Sequence, residues 1–141
     1  MSTDDVAAIR SLTDAECWEF LEGARFGRLA VAPAGRIDLF PVNFVARDGR
    51  IVFRTAEGTK LLSLTVNTAV AVEADEVTGG QARSVVVHGT ARALETSDEI
   101  EAAERLPLRP WIPTLKQIFV EVVPTELTGR AFALGPEPER W

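Results

Sequence analysis

Apolar residues at Cys17, Phe20, Leu21 and Ala24 recur at the i, i+3, i+4, i+7 spacing of one helical stripe. Thr13-Asp14-Ala15-Glu16 stands before them as a capping box, Thr with Glu three residues on. Gly27 can end such a helix, so the spacing predicts one from about Asp14 to Ala24. The period then changes. Arg28–Ala32, Ile37–Ala46 and Ile51–Thr55 read as strands, separated by a Pro33–Arg36 turn and by Asp48-Gly49, a hairpin signal. Leu61–Val66, between Gly58-Thr59 and Asn67, reads as a short helix. Ala69–Val77 and Ser84–Leu94 are strands joined through Gly79-Gly80. Thr96 or Ser97 caps a helix through Asp98–Leu106. Pro107, Pro110 and Pro113 impose an extended loop that carries Trp111. Gln117–Val123 and Leu127–Ala133 are the last strands, broken at Pro124. The expected fold class is mainly β: a six- to seven-stranded antiparallel split β-barrel with two or three short helices. One domain is expected over 1–141, with 1–12 as an N-terminal arm and 134–141 as an irregular tail.

Composition narrows the class of function. The chain has 141 residues, with 15 Lys+Arg against 21 Asp+Glu and a formal net charge of −6. An acidic balance disfavours general nucleic-acid binding. No apolar run is long enough for a membrane span, and no signal peptide is visible. A cytoplasmic protein with no nucleic-acid or membrane partner is the expectation. One Cys and one His exclude an internal disulfide, a multi-cysteine metal site and a histidine-rich one, and no metal is expected. Apolar strand positions on both faces make a homodimer a reasonable arrangement.

Few side chains stand out chemically. Cys17 lies on the apolar stripe and reads as a small buried hydrophobe. His88 sits in a strand, and no Gly-x-Ser-x-Gly elbow accompanies it, which argues against hydrolase chemistry. Glu73 and Asp75 share a strand face that reads as solvated. No side chain presents itself as a general acid or base, so the catalytic residues are unassigned. The informative stretch is Phe53-Arg54-Thr55-Ala56-Glu57-Gly58-Thr59-Lys60. A strand ends, a glycine turn follows, and a helix begins whose first N–H groups are unpaired. Arg54, Lys60, Thr55 and Thr59 could grip a phosphate there. On spacing alone, a helix cap with two solvated cations is the commoner reading. In Phe40-Pro41-Val42-Asn43-Phe44, proline marks an edge or bulge, and Asn43 interrupts an apolar run as the lining of a flat heterocycle would.

These segments together resemble the pyridoxamine 5′-phosphate oxidase-like family of FMN-binding split barrels. The matching pieces are Gly27-Arg28-Leu29-Ala30, Phe40-Pro41-Val42-Asn43-Phe44, Phe53-Arg54-Thr55 through Gly58-Thr59-Lys60, Ser84-Val85-Val86-Val87-His88-Gly89 and Pro110-Trp111. The resemblance implies a homodimer with flavin in a groove between subunits. It implies that Arg54, Thr55, Thr59 and Lys60 hold the FMN phosphate, with Phe53 and Gly58 also among the cofactor-binding residues. It sets Pro41, Val42 and Asn43 against the isoalloxazine ring, Ser84 near the flavin edge, and Trp111 near the ring from the partner subunit. The implied activity is that of an FMN-dependent oxidoreductase, with a reduced nicotinamide or another small-molecule redox partner. A deazaflavin-dependent reductase, a haem-binding split barrel and a non-catalytic flavin-binding dimer stay open as alternatives. The oxidase's C-terminal substrate-phosphate segment, rich in Arg and His, has no counterpart in Pro136-Glu137-Pro138-Glu139-Arg140-Trp141.

Overall fold

A computed structural model describes residues 9–108 and 117–135 of the chain. In chain order the elements are β1 (Ile9–Ser11), α1 (Asp14–Gly23), β2 (Phe26–Val31), a 3-10 turn (Pro33–Gly35), β3 (Asp38–Arg47), β4 (Arg50–Ala56), α2 (Lys60–Thr65), β5 (Ala69–Thr78), β6 (Gln81–Ala93), α3 (Ser97–Glu104) and β7 (Gln117–Ala133). The strands pair in the order β1-β7-β4-β3-β2-β5-β6, and β6 pairs back onto β7. Every pairing is antiparallel. Six strands therefore close a barrel, with β1 attached outside the ring on β7.

Local chemistry accounts for the elements. Thr13 and Glu16 form the expected capping box: Glu16 N–H donates to Thr13 Oγ1, and Thr13 N–H donates to Glu16 Oε1 at 3.0 Å. Asp48 and Gly49 both have positive φ, 54° and 70°, as a two-residue hairpin turn demands. Leu29, Phe44, Ile51, Phe53, Val72, Val85, Val87, Val120 and Val122 point inward and are fully buried. Cys17, Phe20 and Leu21 of α1 join this core. A Cβ on Gly129 would lie 2.5 Å from Cys17 Sγ, so that glycine lets α1 seat on β7. A second cluster lies on the outer side of β3, β4 and β7. There Val45, Val52, Phe119 and Leu94 meet Ala103 of α3 and Leu108. It explains why β3 reads apolar on both faces.

Three sequence expectations change. Gly27 does not end α1, which stops at Gly23 with Ala24 as its C-cap; it lies within β2. The N-terminal arm is partly structured, because Ile9, Arg10 and Ser11 pair with Phe132, Ala131 and Arg130. The last strands are one strand of 17 residues, not two. Pro124 is accommodated by a bulge rather than a break: His88 pairs Glu126, Gly89 pairs Pro124, and Thr125 is left over. Its hydroxyl donates to His88 O at 3.2 Å. Gly89 makes the close approach possible, since a Cβ there would sit 2.3 Å from Val123 O. Pro107 and Leu108 are described, whereas Pro110, Trp111 and Pro113 lie outside the described residues.

Candidate functional site

The site arises where the barrel comes apart. The β3–β4 ladder runs from Arg47↔Arg50 to Phe44↔Phe53 and stops. Earlier in β3, Asp38–Asn43 pair only with β2. Later in β4, Arg54–Ala56 pair only with β7. The two strands diverge, and a cleft of about 230 Å³ opens between them. Pro41, Val42 and Asn43 form one wall; Arg54, Thr55 and Ala56 form the other; Thr59, Leu61 and Gln117 complete it. Backbone alternation sets what β3 offers. Phe44 N–H donates to Arg25 O at 3.0 Å, on the β2 side, so the N–H of Asn43 faces the split. Pro41 shares that edge, where its missing N–H costs no ladder bond.

Arg54 is the charged centre of the cleft. Its Nη1 donates to Leu108 O at 3.1 Å, and its guanidinium carbon lies 4.7 Å from the centroid of the Phe119 ring. Its Nε is buried with no hydrogen-bond partner among the described residues. A buried charged donor left unpaired is costly, and the guanidinium that carries it lines the split, where it can meet an anion. The hydroxyls behave differently from the sequence expectation. Thr59 Oγ1 donates to Ala56 O at 2.8 Å and accepts from Leu62 N–H at 3.2 Å, capping α2. Thr55 Oγ1 lies 3.0 Å from Thr59 Oγ1 and must donate to it, since the single proton of Thr59 is already directed at Ala56. Both hydroxyls are thus engaged within the protein. The N–H groups of Lys60 and Leu61 find no backbone acceptor among the described residues.

The other expected site residues separate. Lys60 is exposed at the start of α2, outside the lining of the cleft. Gly58 has φ of 80° with open space around it, as the turn requires, and it is outside the lining of the cleft. Phe53 is fully buried in the barrel core. Its side chain cannot reach a ligand in the split, because alternation along β4 turns it inward while Arg54 turns outward. Ser84 borders a separate groove with Val86, Thr128, Gly129 and Arg130, and it donates to Glu73 Oε2 at 3.4 Å. The structure does not bring it to the cleft within one chain. Trp111 lies outside the described residues. Sequence reading missed Ala56, Leu61 and Gln117 as lining. The β4–β7 register places Gln117 opposite Ala56, a pairing no local pattern reveals.

Glu73 and Asp75 form a charged cluster on the outer face with Arg28, whose Nη1 reaches both carboxylates at 2.7 and 3.1 Å. Burial, and then the neighbouring Asp75, push the Glu73 carboxyl above its usual range, against the pull of Arg28. Glu73 therefore contributes stability that is fully present below the unfolded carboxylate pKa and is lost as pH rises through the raised folded value. Glu73→Gln is expected to remove that downward slope in Tm as pH rises above the ordinary carboxylate range. A variant whose Tm tracks the wild type in parallel across that rise contradicts it. Among the described residues, no group of three His, Cys, Asp or Glu could hold a metal ion, and no helix is long and apolar enough to cross a membrane.

Known proteins share this architecture. Residues 13–131 match the family model described as pyridoxamine 5′-phosphate oxidase. A crystal structure of a Corynebacterium glutamicum protein, described as a candidate pyridoxamine 5′-phosphate oxidase, is 48% identical with a TM-score of 0.84; the match covers 92% of this chain and 97% of that one. The FAD-binding protein from Mycobacterium smegmatis is 40% identical with a TM-score of 0.83, covering 89% of this chain and 100% of that one. An uncharacterised Mycobacterium tuberculosis protein is 48% identical over 90 residues, 64% of this chain and 82% of that protein. On this evidence of sequence and fold, the chain belongs to the pyridoxamine 5′-phosphate oxidase family.

Proposed function

We propose that this chain holds a flavin nucleotide by its phosphate in the split between β3 and β4 and serves as a flavin-dependent oxidoreductase. The observation that carries the reading is Arg54, a cation in the cleft wall whose buried Nε has no partner. Arg54 puts one positive charge in the cleft wall, and the exposed Lys60 at the start of α2 adds a second, screened one, and both favour the dianion of an FMN phosphate. The N–H groups of Lys60 and Leu61 are further donors. Pro41, Val42 and Asn43 would bear on the ring, with the Asn43 N–H facing any negative charge that develops there. When bound, the flavin supplies two-electron redox chemistry; the chain binds it, orients it and shields it from water. The Thr55–Thr59 pair holds the turn in shape, and either hydroxyl must give up its internal acceptor to donate to the phosphate.

A homodimer belongs to the same proposal. Ile37 and Leu39 are 73% and 67% exposed. They lie beside Ala30, which pairs with Leu39 and Ala71. That apolar strip suits a second copy of the chain, and a reduced nicotinamide would be the electron donor. One observation favours a second reading of the cofactor. The M. smegmatis relative, 40% identical, binds FAD, and FAD carries a phosphate at the same place on the ribityl tail as FMN, joined there as a diphosphate to adenosine. Haem finds less support: His88 borders a different groove, with Ala30, Ile37 and Ala71.

Titrating cofactor-free protein with riboflavin, FMN, FAD and a deazaflavin nucleotide tests the proposal. FMN or FAD is expected to bind at least about tenfold more tightly than riboflavin, a difference of about 1.4 kcal/mol, with flavin absorption near about 450 nm in the complex. Equal affinity for riboflavin and FMN overturns the phosphate assignment. Preference for the deazaflavin nucleotide reassigns the cofactor.

A further inference from the structure

We infer that Phe119 is a positioning residue for Arg54, and that the outer layer under α3 is thereby part of the cofactor site. The inference rests on the reading that Arg54 holds a flavin phosphate. Arg54 and Phe119 are direct cross-strand partners in the β4–β7 ladder, so their side chains leave the same face of the sheet. The guanidinium lies over the aromatic ring at 4.7 Å, within the range of a cation–π contact. The ring itself is buried among Val45, Val52, Leu94, Ala103 and Leu108 and has little room to move. The carbonyl of Leu108, in the segment that follows α3, accepts a hydrogen bond from Nη1.

The outer layer thus holds the guanidinium by its face and by one Nη1 N–H, and the buried Nε is among the donors it leaves unpaired. An arginine on an open surface would have to be ordered by its ligand, and that ordering cost subtracts from affinity. Here packing on β7 orders it in advance. The second hydrophobic cluster, which has no contact role in the split, acts on the cofactor through this one side chain.

The test uses Phe119→Met, which conserves apolar volume and removes the ring, and Phe119→Tyr, which retains the ring. Each is titrated with FMN and with riboflavin, alongside the wild type and Arg54→Ala. Phe119→Met is expected to weaken FMN about fivefold or more with riboflavin affinity unchanged. Phe119→Tyr is expected to stay within about twofold of the wild type for both. A merely structural role would move FMN and riboflavin together, and that result overturns the inference. So does an unchanged FMN affinity in Phe119→Met when Arg54→Ala has lost it. A wild type that does not prefer FMN to riboflavin instead overturns the underlying cofactor reading. Wild-type protein gives a readout that survives any folding defect in Phe119→Met. The Arg54 Nε proton, assigned by its absence in Arg54→Lys, should be displaced by the ring current without ligand and shift further with FMN. A signal at the ordinary arginine position contradicts the stacking.

Discussion

Arg54→Ala is expected to weaken FMN binding about a hundredfold, about 2.7 kcal/mol, while riboflavin binding stays nearly unchanged. Hydrogen bonds to charged groups contribute about 1.5–3 kcal/mol each, and a guanidinium can offer two to one phosphate. Arg54 is half-buried, so solvent screens the pair less than it would at a fully exposed site. Removing Arg54 leaves a bound phosphate without its buried donor. Arg54→Lys should recover little, since a lysine has no planar fork to bond Leu108 O and an anion together. Lys60→Ala should cost much less, about threefold, because Lys60 is exposed and its attraction is screened by salt. Flavin fluorescence titrations at low and physiological ionic strength separate the two: only the Lys60 effect should shrink strongly with salt. An Arg54→Ala protein that binds FMN within about threefold of the wild type would remove the phosphate clamp from the split.

A large stability loss is expected from Gly27→Ala. A Cβ at Gly27 would lie 2.3 Å from Glu73 O, 3.2 Å from Glu73 C and 3.1 Å from Phe44 Cε1. The first two are backbone atoms of β5, fixed by the β2–β5 and β5–β6 ladders, and cannot swing aside as a side chain would. Either β2 shifts outward or its pairing is lost. A cost of at least about 3 kcal/mol follows, at the upper end for overpacking, and a fall of roughly 10 °C in Tm. Gly23→Ala is the control. Nothing lies within 4 Å of its added Cβ, and alanine at the last position of α1 should be neutral or slightly stabilising. Thermal unfolding followed by circular dichroism distinguishes them; equal Tm values would show that β2 and β5 do not approach as closely as described.

Local signals carried most of the fold. The Thr13–Glu16 box, the Asp48-Gly49 turn and the strand alternation each depend on neighbours within a few residues, and each appears where the spacing places it. The departures have a common physical origin in long-range pairing. Pro124 reads as a break because local chemistry forbids a ladder bond there, yet a bulge opposite His88 and Gly89 absorbs it. Ile9–Ser11 carries too little pattern to reveal a strand that exists only because β7 extends past the ring. The site divides in the same way. Pro41, Val42, Asn43, Arg54, Thr55 and Thr59 meet in one cleft because they flank the point where β3 and β4 part. Phe53 does not, since strand parity turns it inward, and Ser84 does not, since β6 carries it to another groove. Hydroxyl chemistry was legible in kind but not in use: Thr55 and Thr59 are donors by composition, and their protons are already engaged.

The pairing of β7 has a consequence for how the polypeptide acquires its shape. This strand, last in order among those described, bonds to β1, β4 and β6, so every route around the ring passes through it. During translation, the meander of β2, β3 and β4 can assemble while β7 is still inside the ribosome, but the ring cannot shut. Until then the edges of β4 and β6 remain exposed, and contacts of such long sequence separation form slowly. Nascent chains stalled before Gln117 should therefore be the aggregation-prone species, and emergence of the final strand the event that protects them.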